Sequence, residues 1–449
     1  MTSRAIEQPA TEVLATVGKR QRGRTIKFAP VKIGQWAMWS FFVFALIVSP
    51  LVFKSSLSLT ILSQMGTLII VCLSYNMLLG QSGMLSFGHA VYVGLGAFIS
   101  IHVMNAVTHG AFWFPISLIP LIGGVAGAFF GVLFGYVTTK KSGTTFAMIT
   151  LGIGELVAAS SLMLPEFFGG EAGITTNRVI GQPVLGITFG PQLQVYYLIA
   201  IWTLLCTVLM YAFTLTPLGR MTNAVRDNPE RAEFVGYNTQ RVRYLVVIIA
   251  GFFAGIAGGL SAINFEIVSS ENVSTVRSGA YLLFTFLGGV GFFFGPIIGA
   301  VIFVLSFVVL SEITKAWLLY LGIFFLLMVM YAPGGIASII MMNLRVAKFG
   351  KFRRMRLPYV AVIAAGVPLF LGITSLIEMI YHYQLESANG TTTTLYGLAA
   401  DTATPTPWIV AVIVVAIGCV AMTYASRFFK QAWSSAQTEI QALLERSVA

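Results

Sequence analysis

The side chains able to do chemistry crowd into one stretch of this chain. Thr216 to Arg243 reads TPLGRMTNAVRDNPERAEFVGYNTQRVR, a polar island between two long apolar runs. Its charged residues include Arg220, Arg226, Asp227, Glu230, Arg231, Arg241 and Arg243, with no histidine or cysteine among them. That composition binds rather than reacts. The spacing predicts a short helix: Asn228 fits the N-cap, Pro229 the first helical position, Glu230 the positive N-terminal end, and Gly236 the C-terminal stop. A small helix held outside the bilayer between two spans is suited to being gripped by a soluble partner.

Elsewhere the reactive residues stand apart. The four histidines, His89, His102, His109 and His382, are scattered, and Cys72, Cys206 and Cys419 each lie inside an apolar run. Neither pattern makes a zinc site or a disulfide framework. No G-x-x-x-x-G-K-[ST] loop is present, so the chain is not expected to bind or hydrolyse ATP. No cofactor or metal bound by this chain is expected. Glu155 is the one acid deep within an apolar run. A charge at a helix centre costs about 2.5–3.5 kcal/mol on insertion scales, so Glu155 must face protein or water. It is either a polar point on a translocation path or a hydrogen-bonded packing residue. His89, at a helix start just after Ser86, carries the same two readings.

The elements that position these residues are membrane spans. Hydrophobic residues make up 57% of the 449-residue chain and charged residues 10%, which excludes a soluble globular protein. The fold class is all-α, a polytopic helical membrane protein. The apolar runs are continuous rather than alternating, so a transmembrane barrel is excluded. The formal net charge of +11 does not indicate nucleic acid, because Lys and Arg fall between the spans. Part of that excess is placed to meet anionic membrane lipid.

Basic clusters at Arg4–Lys32, Lys140-Lys141, the island and Arg345–Arg356 mark cytoplasmic segments, with both termini inside. They require an even number of spans between them. Twelve fit, near 36–53, 57–80, 85–104, 113–138, 145–164, 195–215, 244–263, 277–290, 296–312, 317–341, 359–380 and 408–425. The chain divides into a basic lead (1–35), a ten-span core (36–342, with 216–243 as its cytoplasmic loop) and a basic linker (343–358). A two-span unit (359–425) and a tail (426–449) follow, the tail amphipathic and suited to the membrane surface. Glycine-rich breaks at Gly80–Gly88 and around Gly288-Gly289 either pack helices closely or line a substrate path. Glu266, Glu271 and Arg277 fall outward, solvated or facing a delivery protein.

The island run Gly219-Arg220 … Ala224-Val225-Arg226-Asp227-Asn228-Pro229-Glu230-Arg231-Ala232 … Gly236-Tyr237-Asn238 resembles the cytoplasmic loop of LivM-type permeases, membrane subunits of branched-chain amino-acid ABC importers. Ala254–Leu260 is similar to that family's AGxAGxL, Gly288-Gly289 with Gly295-Pro296 and Gly299-Ala300 to its GG…GP..GA, and Ala332–Ile336 to its APGGI. Gly83–Ala97 and Gly169–Ile174 resemble two further family segments, so the likeness spans residues 36–342. The resemblance implies an ABC importer permease fold in the inner membrane, working by alternating access and without enzymatic activity of its own. ATP and Mg would sit on two separate ATP-binding cassette subunits. A homologous second permease subunit and a periplasmic or extracellular substrate-binding protein would complete the complex.

It also implies that the island is the coupling helix. Val225, Ala232, Phe234 and Val235 would pack in an ATPase groove, and Arg226, Asp227, Glu230 and Arg231 would fix orientation. Glu155, His89, Ser86, Gly288 and Gly289 are candidates for the path. The family's Arg three residues after the Glu is Ala158 here. Branched-chain amino acids are the family's usual substrate, with urea or small carboxylates as alternatives. A secondary transporter would need more intramembrane charge, and a membrane enzyme would need clustered His, Asp or Glu.

Overall fold

The computed structural model describes residues 33–179, 188–350, 352–386 and 392–448, so most of the basic lead lies outside it. It separates into two units, Met1–Lys54 and Ser55–Ala449. The first contains one apolar helix, α1 (Ile33–Val52).

The second unit is built from long apolar helices. With no water in a hydrocarbon core, every backbone polar group must be satisfied within the span, and a helix does this. In order they are α2 (Ser56–Asn76), α3 (His89–Thr108), α4 (Ile119–Thr138), α5 (Thr144–Met163) and α6 (Gln192–Leu215). The island follows as α7 (Pro217–Asp227) and α8 (Pro229–Phe234), then come α9 (Thr239–Phe265), α10 (Thr275–Gly288), α11 (Gly295–Leu305), α12 (Trp317–Tyr331) and α13 (Gly335–Lys348). The chain closes with α14 (Phe352–Tyr381) and α15 (Pro405–Val448). Among the described residues nine helices are long and apolar enough to cross a membrane, and the bent pair α12–α13 meets the same measure only when its two helices are taken together. This is a multi-pass helical membrane protein.

α9 is the axis of the unit. Its Gly251, Gly255, Gly258 and Gly259 repeat at helical spacing and lie against α4 and α3. A Cβ on Gly255 would collide with the Gly123 carbonyl oxygen, and one on Gly258 with that of Val93. Backbones therefore touch directly at these crossings, as small residues permit in membranes. At the end opposite the basic clusters, a two-residue antiparallel pairing of β1 (Ile174–Thr175) with β2 (Ile267–Val268) ties the α5–α6 connection to the end of α9.

The glycine-rich reversal expected between 277 and 312 is present. α10 ends at Gly289, whose φ of 119° suits only glycine. α11 then returns antiparallel, with the ring centroids of Phe284 and Phe303 4.4 Å apart. α10 has 14 residues, roughly 21 Å at 1.5 Å per residue, which is short of a full crossing of about 30 Å.

Two expected elements differ. The single span over 317–341 is two helices bent by 49°. Pro333 has no amide hydrogen and pushes Ala332 out of helical geometry, to φ −139° and ψ 64°. The tail, from 426 to 448, is not a separate surface helix but the continuation of α15, a single 44-residue helix. No glycine or proline after Gly418 stops it. The basic linker is likewise helical, a tight turn at Phe349-Gly350 joining α13 to α14. The connection between α14 and α15 ends in a hairpin of β3 (Thr392–Leu395) and β4 (Leu398–Asp401).

Candidate coupling site and membrane interior

The island forms two helices rather than one. Thr216 caps α7 by accepting from the Gly219 amide, and Asn228 caps α8 by accepting from the Arg231 amide at 2.9 Å. Pro229 opens α8, Glu230 stands in its first turn, and Gly236 follows at φ 93°. Asn238 then caps α9 through the Arg241 amide.

The partner-facing set is narrower than the sequence suggested. Val225 and Ala232, expected to pack in a partner's groove, are instead buried against Val242, with Leu218 and Met221 beside them. They hold α7 and α8 to α9. Phe234 is 90% exposed and Val235 71%, so these two are the apolar residues left to an incoming surface. Arg226 stays part exposed but reaches back to the body of the chain. Its guanidinium donates to the Gly80 carbonyl and to Asp227 Oδ1, the latter at 2.9 Å.

Gly80 lies in the single π turn Met77–Gln81 that ends α2. A Cβ there would meet the Val290 carbonyl at 2.7 Å. Gly335, in turn, sits on Gly289: a Cβ on it would lie 2.5 Å from the Gly289 Cα. The island, the α2 break, the α10–α11 reversal and the α12–α13 knee therefore touch in series at the basic end. These are four segments far apart in sequence, and their contact was not legible from it.

The candidate path residues form two groups. Glu155 is exposed on α5 and accepts from Thr275 Oγ1 at 2.6 Å. One residue earlier, Gly154 lies near both Thr275 and Gly88. The Phe87 amide donates to Thr150 Oγ1 at 3.1 Å, and the Ala90 amide to Ser278 Oγ at 3.0 Å. Glu155, Ser86 and His89 thus belong to one neighbourhood at the start of α3 and α10, which Thr275 and Ser278 complete. Sequence reading passed over these two, although Ser274 ahead of them is an N-cap. Gly288 and Gly289 stand some 13 residues further down α10, roughly 20 Å away at 1.5 Å per residue.

His89 is fully enclosed, with Nε2 at 2.9 Å from Ser74 Oγ and its ring edge-on to Tyr75. Ser86 is buried, its carbonyl accepting from the Tyr75 hydroxyl at 2.6 Å. Both pack the core in this conformation. At the opposite end, Glu266 and Glu271 are not simply solvated: the Arg178 amide donates to Glu266 Oε1 at 2.8 Å, and Arg277 pairs with Glu271 at 3.0 Å.

The described chain is thus a glycine-seamed bundle of membrane helices with a capped, two-helix polar loop at its basic end. The family model for the permease component of branched-chain amino acid transport systems matches residues 57–333. The chain belongs to that family of ABC transporter membrane subunits. It is 28% identical over 292 residues to the high-affinity branched-chain amino acid transport system permease protein LivM of Salmonella typhimurium, covering 60% of this chain and 67% of that one. It is also 26% identical over 223 residues to the fructose import permease protein FrcC of Rhizobium meliloti (45% and 59%). The nucleoside ABC transporter permease protein NupC of Lactococcus lactis is 25% identical over 216 residues (45% and 65%). No solved structure matches the chain.

Proposed function

We propose that this chain is the permease subunit of an ABC importer for branched-chain or related amino acids, driven by ATP hydrolysed on separate subunits. Two ATP-binding cassette subunits carrying ATP and Mg would dock at the basic end, which would be the cytoplasmic face, with both termini in the cytoplasm. A homologous second permease and an external substrate-binding protein complete the complex. The observation that carries this reading is the bond from Arg226 to the Gly80 carbonyl. It keys the island to the broken end of α2 while Phe234 and Val235 project free. A soluble partner moving α7 and α8 would thereby pull on the α2 break and, through it, on the reversal and the knee. The amino-acid substrate is supported by the LivM relatives; the fructose and nucleoside permeases set the competing substrates.

The test is ATP hydrolysis by the chain co-purified with its ATPase partners and reconstituted in lipid. Binding protein loaded with leucine should stimulate hydrolysis, and Arg226→Glu combined with Phe234→Ala should abolish the stimulation. Stimulation by a sugar- or nucleoside-loaded protein instead would overturn the substrate and leave the permease reading standing. Absence of any associated ATPase would overturn both.

A further inference from the structure

A second feature of the basic end lies between α4 and α9. It is a cleft of about 590 Å³, lined by Lys140, Glu233, Asn238, Thr239, Gln240 and Arg243 among others. Two cations face one carboxylate, Glu233, which accepts from Thr239 Oγ1 at 2.7 Å and attracts Arg243, so one cation stands in excess. Lys141 and Arg241 flank the cleft in sequence and are exposed. The balance favours an anion.

What lies beside the cleft identifies the kind of anion. Lys140 Nζ stands 4.6 Å from the centroid of the Tyr136 ring. Tyr136 meets Tyr244 edge-on at 6.4 Å, and the Tyr244 hydroxyl donates to the Val132 carbonyl at 3.1 Å. Beyond the two tyrosines, Val132 and Leu133 on α4 and Leu245 on α9 are exposed aliphatic side chains. Cations, then tyrosines, then bare aliphatic surface follow one another along the same two helices. That is the order of a phospholipid entering a membrane: phosphate, ester region, acyl chains. Tyrosines at the headgroup level and basic pockets between spans are the matching protein chemistry. A soluble anion would leave the aliphatic strip unused.

We propose that this cleft binds the headgroup phosphate of an anionic phospholipid, with Lys140 and Arg243 as its cationic ligands and its acyl chains along Val132, Leu133 and Leu245. The site is independent of the importer reading, since it needs only the chain and a bilayer.

The test uses the full chain reconstituted in phosphatidylcholine with a minor fraction of phosphatidylglycerol, and native mass spectrometry to count retained phosphatidylglycerol. Lys140→Gln combined with Arg243→Gln should lower retained phosphatidylglycerol at least fivefold. Arg353→Gln combined with Arg356→Gln, an equal loss of charge elsewhere at the basic end, should change it less than twofold, and so should Lys140→Arg. If the double variant in the cleft loses its thermal unfolding transition, Lys140→Glu decides, because Lys140 is exposed; it should show the same loss. Native-like retention by the cleft variants would overturn the site. So would equal retention of phosphatidylcholine. Displacement of phosphatidylglycerol by inorganic phosphate at matched concentration would make the cleft a free-anion pocket and overturn the lipid assignment.

Discussion

Arg226 and Phe234 lie eight positions apart in sequence and make opposite predictions. Arg226 is part exposed but bonds back to the Gly80 carbonyl, so removing it should break transmission more than association with an ATPase subunit. Arg226→Ala should therefore keep co-purification near native while stimulated hydrolysis falls at least tenfold. Arg226→Lys should restore it only in part, because a lysine supplies a flexible point charge where the guanidinium presents a fixed fork to Gly80 and Asp227. Phe234 points out, so Phe234→Ala should weaken the association itself. A buried aromatic anchor is commonly worth 2 kcal/mol or more, about 30-fold in Kd, and titration with the purified ATPase subunit measures it. The island's existence and caps were legible from Thr216, Asn228, Pro229 and Gly236, because capping is local chemistry. Which of its residues face inward was not. Val225 and Ala232 look like exposed anchors until Val242 of α9 is seen to cover them.

At the level of elements, the α9 seam should be the least tolerant part of the core. Gly255 and Gly258 lie against backbone carbonyls of α4 and α3, and a carbonyl cannot rotate away as a side-chain tip can. Gly255→Ala should force the helices apart at a cost of about 1–3 kcal/mol, read as a lower unfolding temperature of the purified protein. Gly152→Ala on α5 meets nothing within 4 Å and is the control that should leave it unchanged. Span positions were legible because an apolar run near 20 residues has no other stable home than a membrane helix. The ends were less so. Pro333 was read through as part of a span, although its missing amide hydrogen bends α12 from α13. The amphipathic pattern beyond Ser426 suggests a separate surface segment, although nothing there interrupts helical hydrogen bonding.

Across the whole molecule, α14 and α15 follow the segment that the family model matches, which ends at residue 333, and two clamps join them to what comes before. Near one end of α14, the Tyr359 hydroxyl donates to Asn343 of α13 at 2.5 Å. There Val346, Met355 and Ala436 form a small buried cluster against Phe429 and Trp433. Near the other end, Glu378 accepts from Thr314 Oγ1 at 2.6 Å and from the Tyr320 hydroxyl at 2.9 Å. Tyr359 and Glu378 are 19 residues apart on one helix, roughly 28 Å at 1.5 Å per residue. That is close to the thickness of a hydrocarbon core. The clamps thus sit at the two rims of the membrane and share no residue, so their contributions should add. Glu378→Ala leaves the Thr314 hydroxyl without its acceptor and Tyr320 with only the Thr374 carbonyl at 3.5 Å, and should cost about 1–3 kcal/mol, whereas Glu378→Gln, which keeps an acceptor oxygen, should cost less. Trp433→Ala, at a half-buried side chain, should cost less than the roughly 3–5 kcal/mol of a fully buried tryptophan. Thermal unfolding of the two single variants and their combination measures the sum. A combined loss well short of it would mean that the pair of helices detaches as one body once either rim is released. A full sum would mean that each rim is held on its own, and that the appended helices can loosen at one face of the membrane while staying fixed at the other.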